Sequence, residues 1–104
     1  MELTVLERLI LLQILPSQGT LLTMKIVRDL QDDVGFNEDE LEALSFVQGD
    51  EKMQWNSEAD IPKEITVGQT AKDIVRAKLK GLDEDEKLTM QHLSLCEKFG
   101  YDGT

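Results

Sequence analysis

The chain is poor in the residues from which sites of known chemistry are assembled. In 104 positions it has one cysteine, one histidine, two prolines, three Phe, one Tyr and one Trp. With Cys96 alone no internal disulfide can form, which excludes a cross-linked secreted scaffold and makes a cytoplasmic setting the expectation. With His92 alone no His-Ser-Asp or Cys-His-Asn set can be assembled except around Cys96, whose place in a helical apolar stripe marks it as core. His92 and Cys96 stand four apart and could touch one zinc ion, yet a structural zinc site takes about four ligands. Gly49, Gly68 and Gly81 are isolated, and none precedes a Lys-Ser/Thr pair, so there is no phosphate-cradling loop. The run Asp83-Glu84-Asp85-Glu86 fails as a calcium loop, with Lys87 and Leu88 at its fifth and sixth positions. Neither an enzyme nor a cofactor or metal is expected.

Long hydrophobic runs are missing too. The richest stretch, residues 5–15 (VLERLILLQIL), is about half the ~20 residues a bilayer crossing takes. It is interrupted by Glu7 and Arg8 and has no basic leader, so no membrane or targeting role is expected. Basic residues are scarce: 11 against 21 acids, for a formal charge of -10. That excess repels nucleic-acid backbones and anionic lipid, and direct nucleic-acid binding is disfavoured. Its ordinary role is solubility; its sharper one is to meet another protein with a basic surface.

The pattern of what is present is mostly helical. Thr4 and Glu7 form a capping box for a first helix that Pro16 ends. Thr20 caps a second, with Leu22, Ile26, Val27, Leu30 and Val34 inward, Leu21 and Met24 on its other side, and Gly35 as a left-handed stop. Asn37 and Glu40 give another capping box, and Phe36 with Leu41 a hydrophobic staple, for a short third helix over 38–45 with Leu41 and Leu44 inward. From Phe46 the period changes: 46–48, 52–56 and 64–67 read as strands of a small antiparallel sheet with Met53, Trp55, Ile65 and Val67 packed on the helices. A fourth helix is expected over 69–80, stopped by Gly81, and a fifth from an N-cap in Asp83-Glu84-Asp85-Glu86 to about Phe99, stopped by Gly100.

The fold class is therefore mainly α with a small antiparallel β-hairpin or sheet (α+β), about five helices in one domain over 1–100 and a loose tail over 101–104. Three helices, a hairpin over 46–56 and a further helix resemble the winged-helix family in element order. In that family the third helix enters the DNA major groove. Here its first turn is Glu38-Asp39-Glu40, with Glu42 after it, which phosphates would repel.

Residues 29–42 carry seven acids (Asp29, Asp32, Asp33, Glu38, Asp39, Glu40, Glu42) and no Lys or Arg. They are the candidate partner-binding residues. Leu11 and Leu15 join them as an apolar contact, because the aliphatic positions of the first helix spread over three arcs and this one is flanked by Glu7 and Arg8. Its alternative fate is closure by the fifth helix. Lys72, Arg76 and Lys80 form the one basic stripe. The function expected is a non-enzymatic acidic protein-interaction module, in size and charge similar to the accessory proteins of phages and mobile elements. Alternatives are a DNA-mimic inhibitor of a nucleic-acid-binding protein, a structural subunit of a homo-oligomer or virion, and an atypical DNA binder using the basic stripe.

Overall fold

Thr4 starts the first helix: its hydroxyl accepts from the Glu7 N–H at 3.2 Å while the Glu7 carboxylate accepts from the Thr4 N–H at 2.9 Å. In the computed structural model, which describes residues 1–49 and 53–103, helix α1 (Val5–Ile14) follows. After it come α2 (Leu21–Val34), α3 (Glu38–Leu44), α4 (Gln69–Glu84) and α5 (Leu93–Phe99). Strands β1 (Glu2–Leu3), β2 (Val47–Gln48), β3 (Met53–Gln54) and β4 (Lys63–Glu64) form two antiparallel pairs, β1 with β4 and β2 with β3. Short 3₁₀ turns lie at Ser57–Ala59 and Met90–His92. The mainly helical architecture with minor β structure is thus present. The expected turn at 50 and 51, the start of the second strand at 52, and the end of the tail at 104 lie outside the described residues.

The core lies where α1 meets α2, α4 and α5. Its contributors include Leu3, Ile10, Leu11, Ile14, Val27, Leu30, Val34, Ile65, Val75, Leu79, Leu95 and Phe99. Leu11 is 0% and Leu15 8% exposed, so that arc is closed inside the chain and is not an available contact. The two charges that flank it, Glu7 and Arg8, are themselves buried. The Glu7 carboxylate receives Lys98 Nζ from α5 at 2.6 Å, and Arg8 is clamped by α2 and α3. With their charges matched, that side of α1 can enter the interior. The side left open carries Leu6, Leu9 and Gln13, facing Met53 and Trp55 across a groove of about 730 Å³. Met53 and Trp55 therefore line an opening beside α1 instead of closing on it.

Other expectations shift for local reasons. Leu22 is 67% exposed, because the first turn of α2 stands out past the core and the buried stripe begins at Val27. Leu41 is 47% exposed and not inward, although the Asn37–Glu40 capping box forms; Phe36 packs edge-on against Phe46 at 5.2 Å and under the Arg8 guanidinium at 4.0 Å. Gly35 has φ −63°, not a left-handed value. It is needed for close approach, since a Cβ there would lie 2.8 Å from the Gln31 carbonyl oxygen. The third β-prone run pairs with the N-terminal strand and not with the hairpin (Glu2 opposite Glu64, Leu3 opposite Lys63), and the winged-helix order is not confirmed.

The α4–α5 junction differs most. Helix α4 runs through Gly81 to Glu84 and stops with Glu86 in the left-handed region, its N–H on the Asp83 carbonyl and the Lys87 N–H on the Leu82 carbonyl. This is the Schellman pattern, five residues later than expected. The acids at 83 and 84 belong to the last turn of α4, and α5 begins only at Leu93. Gly100 does end α5, with φ +74°. Tyr101 is not loose: its hydroxyl donates to Asp83 Oδ2 at 2.5 Å, which ties the tail back to α4.

Candidate functional site

The acidic segment is built around one side chain from α1. Arg8 is 1% exposed, and each of its three guanidinium nitrogens donates to the α2–α3 junction. Its Nε donates to the Val34 carbonyl at 2.8 Å and one terminal nitrogen to the Gly35 carbonyl at 2.5 Å. Both terminal nitrogens reach the Glu40 carboxylate, at 2.6 and 3.2 Å. A planar guanidinium suits this paired geometry. It satisfies the carbonyls exposed at the end of α2, which a helix cannot satisfy itself. The Arg8 hydrogen bonds hold the Glu40 carboxyl below the usual carboxylate range against the opposing effect of burial, with help from the Asn37 N–H and Lys63.

Glu40 is thereby a structural residue as well as a member of the acidic set. The remaining acids stay at the surface. Asp29 meets Arg28 at 3.5 Å in an exposed pair. Among the described residues Asp32, Asp33, Glu38, Asp39 and Glu42 have no ion pair, and all five are exposed.

Several of these acids line one wall of a trough whose other wall is the chain from Ala59 to Thr70. One part, of about 560 Å³, lies between α3 (Asp39, Glu40, Ala43, Leu44) and the strap Ala59, Ile61, Pro62, Lys63, Glu64. An adjoining hollow of about 300 Å³ lies between Asp32 and Asp33 on one side and residues 63–66 on the other, sharing Lys63 and Glu64 with the first. A third, about 330 Å³, continues between Asp29, Asp33 and residues 66–71, sharing Asp33 and Thr66 with the second. The lining is partly apolar, from Ala43, Leu44, Ile61 and Pro62 at one end to Ile26 and Leu30 at the other. Lys63 sits in the middle, its Nζ 3.9 Å from Glu40.

Five of the seven sequence-derived acids thus come together: Asp29, Asp32, Asp33, Asp39 and Glu40 line the trough. Glu38 and Glu42 lie on α3 without lining it, and Leu11 and Leu15 are elsewhere, in the core. The facing wall had no signal in the sequence beyond the β-prone run over 64–67. Arg8, the clamp, was visible only as a charge in an apolar helix.

The other candidates remain apart from this feature. Lys72 is half-buried, Arg76 and Lys80 are exposed on α4, and among the described residues none of the three forms an ion pair. Cys96 is buried and free, and burial pushes its thiol pKa up, away from reactivity. His92 Nδ1 accepts from the Thr89 N–H at 2.9 Å. Among the described residues no group of three or more His, Cys, Asp or Glu side chains could hold a metal ion, and no helix is long and apolar enough to cross a membrane. Comparison with protein-family models, curated proteins and solved structures finds no match.

Proposed function

We propose that the chain is a non-enzymatic interaction module that binds another protein through its acidic α2–α3 face. The observation that carries the reading is the trough: Asp32, Asp33 and Asp39, which have no ion pair among the described residues, stand along an opening with a partly apolar lining. Apolar area in the lining would supply affinity, and the acids would supply orientation and association rate towards a basic surface. The free, buried Cys96 supports a cytoplasmic setting. Size and charge alone carry the likeness to accessory proteins of phages and mobile elements.

The test is affinity capture followed by cross-linking, with the wild type and an Asp32→Lys/Asp33→Lys/Asp39→Lys variant compared side by side. A partner that cross-links to α2 or α3, weakens with salt and is lost from the variant supports the reading. A partner held equally by both proteins sinks it. Displacement of the chain from that partner by duplex DNA would identify the DNA-mimic form, and self-cross-links alone would move the function to homo-oligomer assembly.

A further inference from the structure

The trough has one property that a patch of acids does not have: it runs along the open edge of a strand. Among the described residues strand β4 pairs with β1 alone. The Met1 and Ile65 backbones exchange both hydrogen bonds, with the Ile65 N–H on the Met1 carbonyl at 2.8 Å and the Met1 amino group on the Ile65 carbonyl at 2.9 Å. Bonded and non-bonded pairs alternate along an antiparallel ladder, so Glu2 and Glu64 form a non-bonded pair. The Glu64 N–H and C=O therefore point away from β1. Neither β1 residue lines the trough, whereas residues 63–66 do. The unpaired edge of β4 thus borders the opening. Such an edge is a template for another strand unless covered.

Charge says what would cover it. The three hollows are lined by six carboxylates; Glu40 pairs with Arg8, Asp29 with Arg28 and Glu64 with the Met1 amino group, which leaves Asp32, Asp33 and Asp39 without an ion pair among the described residues. Arg8 is consumed by Glu40 and the two carbonyls at the end of α2. Lys63, already lying in the trough near Glu40, marks where a cationic side chain fits.

We infer that the trough receives an extended basic segment of the partner protein, added as a strand on the free edge of β4, with its Lys or Arg side chains facing Asp32, Asp33 and Asp39. This is strand addition, in which backbone hydrogen bonds hold the peptide and side-chain sites select it. The inference rests on the acidic-face reading above and specifies the partner's chemistry and conformation.

The test uses the full chain and a fluorescent peptide of about eight residues alternating Lys and Val, extended at ~3.3 Å per residue, in buffer of about 0.15 M salt. The expected result is salt-sensitive binding, weakened about tenfold or more in Asp32→Lys/Asp33→Lys. The same peptide with every backbone nitrogen methylated keeps its charges and loses its donors, and should bind about fivefold or more weakly. In the wild-type protein the Glu64 amide should shift and gain protection from hydrogen exchange when the unmodified peptide binds. Glu64→Pro removes that outward N–H at an edge position where proline is tolerated, and should weaken binding relative to Glu64→Gln. Equal binding of the methylated peptide with an unchanged Glu64 amide overturns strand addition and leaves the acidic-face reading standing. Absence of peptide binding also overturns the inference, while the capture experiment decides separately whether the acidic face engages a partner.

Discussion

At the scale of single residues, the two charges of α1 decide how the helix packs. Arg8 is buried, and its removal leaves the Val34 and Gly35 carbonyls without the donors it supplies and the Glu40 carboxylate without its paired guanidinium. Arg8→Ala should destabilise the chain by about 3 kcal/mol or more in urea titration, the usual cost of breaking a buried pair. Arg8→Lys should recover little of it, because a point ammonium cannot serve three acceptors in the plane of a guanidinium. The partners titrate together with this stability. Burial opposes the charge on Glu7, but Lys98 and the Thr4 N–H outweigh it and lower its pKa; the Arg8 hydrogen bonds do the same for Glu40. A carboxylate lowered on folding contributes stability that is present above its unfolded value, near 4.5, and is lost as the pH falls through the folded value. Urea midpoints should therefore hold from neutrality to the upper edge of that range and fall below it, with a shallower fall in Glu40→Gln. The single tyrosine offers a cleaner readout. Its bond to Asp83 holds the Tyr101 proton and pushes the pKa up to about 12. Ultraviolet titration should show no tyrosinate near pH 10 in the folded chain, and Asp83→Asn should bring the transition down.

At the scale of elements, legibility followed the reach of the signal. The capping boxes at Thr4 and Asn37 were readable because donor and acceptor stand three residues apart, and both form. The β1–β4 pair joins two-residue strands some sixty positions apart, and nothing local announces it. Glu7 and Arg8 were legible only as charges flanking an apolar arc, because their partners, Lys98 and Glu40, lie far along the chain. The acids of the trough could be picked out by composition, yet the wall facing them could not. Glycines show the limit of local rules most sharply. Gly81, a helix stop by those rules, lies inside α4 with open space for 4 Å around the point a Cβ would occupy, whereas Gly35 is confined by Gln31. Gly81→Ala should thus stabilise the chain by about 0.5–1 kcal/mol through helix propensity. Gly35→Ala should destabilise it by about 1–3 kcal/mol, since backbone must move and the Arg8 clamp with it. Opposite shifts in melting temperature check the pair; the same sign for both would contradict the assigned helix end.

At the scale of the whole molecule, the placement of the acids runs against the needs of the fold. The chain carries a formal charge of -10, so added like charge costs stability through self-repulsion. Asp32 and Asp33 stand in the last turn of α2, which has no basic residue, at the negative end of the helix dipole. There a carboxylate is disfavoured and a cation favoured, each by about 0.3–1 kcal/mol. Neither residue forms an ion pair among the described residues to offset this. Asp32→Lys/Asp33→Lys should therefore raise the free energy of unfolding by about 1 kcal/mol at low salt, adding a favourable dipole interaction to relief of repulsion. The gain should shrink as salt is added, because both effects are between exposed charges. If these acids serve the trough, the stabilised protein should at the same time lose its basic partner, the pattern expected where a surface is kept for binding at the expense of stability. Paired measurements of urea stability and partner affinity on this one variant separate the roles. Higher stability with unchanged affinity would leave the two acids as solubilising charge and remove α2 from the binding face.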